Sequence, residues 1–487
     1  MDNGLRKRAV SGVVWVAFEK YSTMFIQFVS GIVLARLLTP YDYGCIGMLA
    51  IFMALAETFI DGGFGSALIQ KKRPTQEDYS TIFWWNIVMA LVLYGLLFFC
   101  APFIARFYKI PLLSKVLRIQ GAVLFIYAFN IVQRNQLRKN LNFRVISKVS
   151  IVTSLLSLSI TIYLAYKGFG VWALVAQNFL TSLIPAFIFW FYVKWRPLFA
   201  FSWDSFKSLF SFGLYMFLTH IVNRFSQHIQ GLLIGKIYNP STLGYYSKAS
   251  STENLASTSI SQVMTQVTYP LYAEVQDDTA KLREIIKKLT SLIAFISFPM
   301  LLLLLLIAKP LFVLLYSEAW LQSVPYFQVL CLAGMAVCLQ SVNLQAISAI
   351  GKSNITFTWT LIKQAIGLIV IVGGLFLFGM TGLLAGAVLS AWVSYLINIL
   401  LVSKYIGYRW TTQILDLLPI FIASCFSTVL AYFVSSLIGG EMYLNGLFKV
   451  LVFSVIYVGW AFLFKPAPLR FFMEITREHL QKRSRGK

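Results

Sequence analysis

The sequence predicts an all-α integral membrane protein of about fourteen transmembrane helices: two six-helix lobes, related as a parallel internal repeat, plus two C-terminal helices. Three observations predict it. Hydrophobic residues make up 58% of the 487 residues and charged residues only 12%, where a soluble chain carries about 25% charged. Mean hydropathy is +0.74. Apolar segments of the roughly 20 residues needed to span a bilayer recur along the whole chain.

The first apolar segment, 13–35, is too long for a cleavable signal and runs straight into a second, 43–66. Both are read as spans. Spans at 80–104, 113–133, 146–166 and 170–193 complete a first lobe, residues 1–207. A second lobe, residues 208–410, holds spans at 208–235, 242–267, 287–307, 320–349, 355–378 and 381–403. Spans 414–438 and 444–464 lie in 411–465, and 466–487 form a basic tail.

The net charge of +23 would suggest nucleic acid in a soluble protein. Here the cations flank spans, and no nucleic-acid partner is expected. One set of flanks carries Arg6, Lys7, Arg8, then Lys71, Lys72, Arg73, then Arg134, Arg138, Lys139, Arg144 and Lys148, with further groups at 194–207, 281–288, 352, 404–409 and beyond 464. The opposite flanks hold only Arg36, Arg106, Lys109, Lys167, Lys236 and Lys309. The positive-inside rule places the rich set and both termini in the cytoplasm.

An internal repeat is visible at two helix–loop–helix corners. GIVLARLLTPYDYG matches GLLIGKIYNPSTLG in the pattern G-x4-[RK]-x3-P-x3-G, pairing Gly31, Arg36, Pro40 and Gly44 with Gly231, Lys236, Pro240 and Gly244. Proline ends a helix there and glycine allows a tight return. Six spans per lobe is an even number, so both lobes point the same way. That is the parallel-repeat plan of secondary transporters, with a substrate site between lobes.

Intramembrane ionisable groups are costly, so they mark function or a buried partner. Span 7 places His220, Arg224 and His228 four apart on one face, widened by Asn223 and Gln227. Either Arg224 faces a cavity or a carboxylate such as Glu253 or Glu57 neutralises it. Span 8 carries Lys248, Glu253 and a ladder of Ser, Thr and Gln, too polar to face lipid all round. Spans 1 and 2 add Glu19, Lys20, Gln27, Glu57 and Asp61. For Lys20 snorkelling to the interface is the competing reading, and for Asp61 a helix-end cap. Lys363 and Lys449 are read as snorkelling. The cations Lys20, Arg224 and Lys248 point to an anionic substrate, since guanidinium forks onto phosphate oxygens.

No catalytic constellation appears, neither a G-x-S-x-G elbow nor a Walker A loop. The five cysteines lie in apolar segments without metal-ligand spacing, and the three histidines are too scattered for zinc. An enzyme is not expected, and no cofactor or metal.

Four stretches carry a family resemblance over essentially the whole chain: SGVVWVAFEKY; LARLLTPYDYG with FIDGGFGSALIQKK; VQDDTAKLREIIKKLTSLIAFISFP; and YSEAWLQSVPYFQVLCLAG. The chain resembles the polysaccharide-exporter branch of the lipid-linked oligosaccharide flippases (Wzx-like, near the colanic-acid exporters). These belong to the superfamily that includes multidrug exporters and lipid II flippases. The resemblance implies a bacterial inner-membrane protein moving an undecaprenyl-diphosphate-linked repeat unit from the cytoplasmic to the periplasmic leaflet, for a polymerase to extend. It also implies two lobes around a central cavity with alternating access.

The combined expectation gives Arg224, Lys248, Lys20, His220 and Asn223 to the diphosphate, and Tyr245 and Tyr246 to sugars. A proton or sodium gradient is the expected drive, with Glu57, Asp61 or Glu253 as the titrating group. The chain is expected to be a monomer among membrane lipids. The alternatives are a multidrug exporter of the same superfamily, which would want an acidic cavity, and a membrane enzyme of polysaccharide assembly, which would want a large outer loop.

Overall fold

In the computed structural model the described residues are 3–470, and among them every regular element is helical. In order they are α1 (Asn3–Leu37), α2 (Pro40–Asp61), α3 (Phe64–Gln70), α4 (Gln76–Tyr108), α5 (Leu112–Gly121), α6 (Val123–Lys139), α7 (Phe143–Tyr166), α8 (Val171–Tyr192), α9 (Trp203–Ile237), α10 (Pro240–Glu274), α11 (Thr279–Leu306), α12 (Ala308–Tyr316), a 3-10 turn (Glu318–Trp320), α13 (Ser323–Ala349), α14 (Ser353–Ile406), α15 (Trp410–Ile438) and α16 (Met442–Phe464). The basic residues expected in a tail beyond 470 lie outside the described residues.

Ten helical stretches among the described residues are long and apolar enough to cross a membrane. The sequence predicts about fourteen, and the difference has a local origin. α1, α9 and α10 are each 35 residues long but too polar to qualify by composition. α14, 54 residues long, would be about 80 Å if straight. It breaks at Phe378 and Gly379, where Gly379 takes φ 61. Gly374 and Gly382 then touch backbone to backbone across the break, so neither tolerates a side chain. The protein is a multi-pass membrane protein. Its apolar outer residues, such as Phe99, Phe103, Leu437 and Val455, are exposed as lipid-facing residues must be.

The chain clusters into two compact units, Met1–Ser247 and Lys248–Lys487. The first unit keeps α9, which packs on α2, α3 and α4, beyond the boundary expected at 207.

Within that unit the two repeated corners share their chemistry. Thr39 and Asp42 form a capping box ahead of Pro40. Asn239 Oδ1 accepts the Thr242 amide at 2.8 Å just after Pro240. The corners also meet. Gly44 packs on the backbone carbonyl of Pro240, and Gly244 packs on that of Pro40. A side chain at either glycine would overlap the opposite proline's backbone, which is a physical reason for the P-x3-G spacing.

The FIDGGFGSALIQKK stretch folds as a tight return. Gly62 and Gly63 adopt left-handed φ of 55 and 77. The Asp61 carboxylate sits against the start of α3, with Oδ1 2.9 Å from where a side chain on Gly65 would begin. At the other end of α3, Lys139 Nζ donates to the carbonyls of Leu68 and Ile69 at 3.0 Å and to that of Lys71. A cation there satisfies the orphan carbonyls of a helix C-terminus. Asp78, fully buried, pairs with Lys71 at 2.7 Å and completes a capping box with Thr75 at the start of α4. That same start holds the α8–α9 linker. Ser80 and Thr81 hydroxyls accept the amides of Leu198 and Ser202, and Trp84 donates to the Leu198 carbonyl.

The second unit builds on α11, α13, α14, α15 and α16. Buried Phe453 and Tyr457 of α16 pack with Leu306 and Ala423. Lys363 differs from its expected snorkelling position. It is 8% exposed and donates to Asn398 at 2.7 Å. An amide one bond away satisfies the ammonium inside the bundle, so it has no need to reach the interface.

Candidate functional site

α9 carries the polar face expected around residue 224. Arg224 is exposed within the helix and lines a pocket of about 270 Å³ with Glu57 of α2, Gln120 of α5, Asn178 of α8 and His228. Its guanidinium is within electrostatic reach of the Glu57 carboxylate. The i, i+4 spacing from Arg224 to His228 puts both on that wall.

Glu57, Thr181 and Ser182 also line a second, larger chamber of about 430 Å³. The other walls come from α1, α6 and α7. α1 contributes Glu19, Thr23 and Gln27. Glu19 accepts from the buried Ser147 hydroxyl at 3.2 Å. α6 contributes Tyr127, Asn130 and Arg134. Arg134 feels both Glu19 and Tyr127, and Tyr127 feels Glu57 and Arg224. The two linings together hold Glu19, Glu57, Arg134 and Arg224, two acidic and two basic residues.

The expected site residues fall into three groups. Arg224 and Glu57 come together on the smaller pocket. His220, one turn before Arg224, is not on that pocket's wall and lies within electrostatic reach of Asp61, and Asn223 is half-buried. Asp61 lies at the end of α2, outside both linings. Lys20 is half-buried and outside both linings, where its neighbour Glu19 takes the chamber position.

The third group sits in the second unit. Lys248 is 6% exposed, with its ammonium 4.1 Å from the Tyr316 ring centroid and 5.7 Å from that of Trp320. The Thr252 hydroxyl meets the Tyr316 hydroxyl at 2.9 Å. Lys248 is thus a packed cation on aromatic faces. Glu253 is 7% exposed and lies against Gly334, with Oε1 lacking a hydrogen-bond partner. In the first unit, Tyr246 is buried and donates to Gln230, leaving no open ring for a sugar.

Sequence reasoning missed Tyr127, Asn130, Arg134, Thr153 and the α7 and α8 hydroxyls. In the sequence Arg134 reads as a flank cation, though NIVQRNQ holds four amides and an arginine within one helix. That was a usable signal. The serines and threonines of α7 were not, because such residues are ordinary in membrane helices.

A polar, charge-balanced interior inside an apolar bundle is the equipment of a transporter of hydrophilic groups, and similarity to known proteins sharpens this. The model of the polysaccharide biosynthesis protein family matches residues 33–325, more than half of the chain. The chain belongs to this family. As a polysaccharide biosynthesis protein it is 28% identical over 412 residues to the teichuronic acid biosynthesis protein TuaB of Bacillus subtilis, covering 83% of this chain and 82% of that one. It is 23% identical to the lipopolysaccharide biosynthesis protein WzxC of Escherichia coli, over 90% of each chain. It is 24% identical to the succinoglycan biosynthesis transport protein ExoT of Rhizobium meliloti, over 85% of this chain and 82% of that one. Among solved structures, the lipid II flippase MurJ in an inward closed conformation superposes with a TM-score of 0.72 at 15% identity, over 93% of this chain and 98% of that one. An inward-facing multidrug resistance MATE family transporter of the MOP superfamily gives 0.61 at 16% identity, over 81% and 98%. These two likenesses show a shared fold.

Proposed function

We propose that the protein is a flippase for a lipid-linked oligosaccharide, moving an undecaprenyl-diphosphate-linked repeat unit from the cytoplasmic to the periplasmic leaflet of a bacterial inner membrane. The observation that carries the reading is Arg224, an intramembrane guanidinium standing open in a pocket inside a membrane bundle. An anion that displaced part of its interaction with Glu57 would offset its desolvation, and a diphosphate supplies paired oxygens for the planar fork. The relatives named for polysaccharide biosynthesis and its transport, and the flippase fold, favour this substrate class over cationic drugs.

In this reading Arg224, with His228 beside it and His220 and Asn223 on the same helix, holds the diphosphate. The isoprenoid tail stays in lipid, and alternating access turns the head across the membrane. A proton or sodium gradient resets the cycle. Glu57 is the titrating group best placed to report on Arg224, because protonating it frees the guanidinium for the anion. Glu253 is a second carboxylate available for coupling. Both termini are cytoplasmic, the chain works as a monomer, and a polymerase consumes the delivered unit.

The test is leaflet exchange in proteoliposomes. Purified protein and Arg224→Ala are supplied with a fluorescent undecaprenyl-diphosphate oligosaccharide. The wild type should flip it, and the folded variant should lose at least about tenfold in rate, the loss of one charge-assisted contact. Equal rates would remove Arg224 from the site. No exchange by either protein, with or without an ion gradient, would overturn the substrate class, and cationic dyes would then be tried.

A further inference from the structure

We infer that the larger chamber, enclosed by α1, α2, α6, α7 and α8, is a sugar-binding site for the uncharged residues next to the diphosphate; this rests on the flippase reading. Its volume of about 430 Å³ lies within the roughly 300–1,000 Å³ range of small-molecule sites. It shares Glu57, Thr181 and Ser182 with the Arg224 pocket. A diphosphate at Arg224 would therefore place the first sugars at the chamber.

The lining has the chemistry of polyol recognition. Thr23, Ser154 and Thr181 donate their hydroxyl protons to carbonyls of their own helices, so their oxygens face the chamber as acceptors. Glu19 and Glu57 add carboxylates able to accept from adjacent sugar hydroxyls, and Arg134 adds a donor fork. The chamber's own charges are Glu19 and Glu57 with Arg134, so a second anion is disfavoured there, and the many hydroxyls and amides suit an uncharged, hydroxyl-rich ligand. Tyr127 and Phe189 supply aromatic faces for the C–H side of a pyranose.

A second observation points to a ligand. Thr153 is 4% exposed and its hydroxyl has no hydrogen-bond partner, and neither does Asn130 Oδ1 on the facing helix. In the adjoining pocket, Gln120 is 5% exposed and its Oε1 is likewise unpartnered. Buried unpartnered groups cost about 1–3 kcal/mol each and are few in native proteins. Unpartnered groups occur elsewhere in the bundle as well, but Thr153 and Asn130 line the chamber itself, where a bound sugar's hydroxyls would pair with them. Among the described residues, no three His, Cys, Asp or Glu side chains cluster as a metal site would require.

The experiment uses the full chain in lipid nanodiscs and two probes: undecaprenyl diphosphate alone, and the sugar-bearing lipid purified from a strain that makes the polymer. The wild type should bind the sugar-bearing lipid at least about tenfold more tightly. Thr153→Val and Asn130→Ala should each lose about fivefold for that lipid, one hydrogen bond's worth, and keep their affinity for undecaprenyl diphosphate. Arg224→Ala should lose on both. Thr153→Val keeps the side-chain shape and removes an unpartnered hydroxyl, so its thermal midpoint should hold or rise, which separates lost recognition from misfolding. The inference is overturned if the wild type binds both lipids equally, or if the chamber variants weaken both equally or neither. If the wild type binds neither lipid, the flippase reading itself falls.

Discussion

Lys248 and Arg224 are both cations inside a span, yet their surroundings assign them opposite tasks. Arg224 stands exposed in a polar pocket beside a carboxylate. Lys248 is sealed between α10 and the rings of Tyr316 and Trp320. A desolvated cation–π contact is worth about 2 kcal/mol. Lys248→Ala should therefore lower the thermal midpoint clearly while leaving affinity for undecaprenyl diphosphate unchanged. Loss of lipid affinity with an unchanged midpoint would instead make Lys248 a ligand contact. Asp78 offers a stability control. Its carboxylate is fully buried, paired with Lys71 and bonded to the Thr75 amide. Asp78→Ala opens the capping box at a cost of about 0.5–2 kcal/mol, while Lys71, one-third exposed, is taken up by solvent; the loss is readable as a fall in midpoint. The spacing of His220, Arg224 and His228 made the α9 face legible in the sequence. It could not separate Arg224 from Lys248, because that depends on rings about 70 residues away along the chain.

At the scale of elements, the reciprocal corners give a sharp contrast between glycines. Gly44 and Gly244 each press on the backbone carbonyl of the other corner's proline. Backbone cannot swing aside as a flexible side chain can, so Gly44→Ala and Gly244→Ala should each cost about 3 kcal/mol or more. Gly95, inside α4, has nothing within 4 Å of a would-be side chain. Gly95→Ala should be neutral or stabilising by about 0.5–1 kcal/mol through helix propensity. Equal effects at all three positions would mean that the corner contact does not hold the unit together. The corner pattern was readable because its glycines and prolines answer to local turn chemistry and to each other. The short α3 was not, since its seven residues merge with the preceding apolar run. Its ends are set by the left-handed turn at Gly62 and Gly63 and by Lys139, the latter nearly 70 residues away along the chain.

For the whole molecule, the sidedness of every corner depends on whether the polar helices cross the bilayer. α10 is the decisive one, because hydropathy alone does not qualify it. Its length of 35 residues, about 50 Å, is ample for crossing. Its hydroxyls are answered internally: Thr252, Thr258, Ser261 and Thr265 all bond carbonyls four residues back. A helix that turns several of its hydroxyls back onto its own carbonyls and buries Lys248, Glu253 and Ser257 among protein can cross where a lipid-facing one could not. If α10 crosses, Lys71, Lys352 and Lys465 share one face, and Lys167, Ser317 and Gly440 the other. If it does not, every corner after it inverts, and Lys352 moves to the side of Lys167. Single cysteines placed at Arg73, Lys167, Lys352 and Gly440 in a cysteine-free background can be probed with a membrane-impermeant maleimide on intact cells. Arg73→Cys and Lys352→Cys should stay unlabelled until the membrane is opened, while Lys167→Cys and Gly440→Cys should label from outside. Labelling of Lys352→Cys from outside would remove α9 or α10 from the spans and the fourteen-helix plan with it.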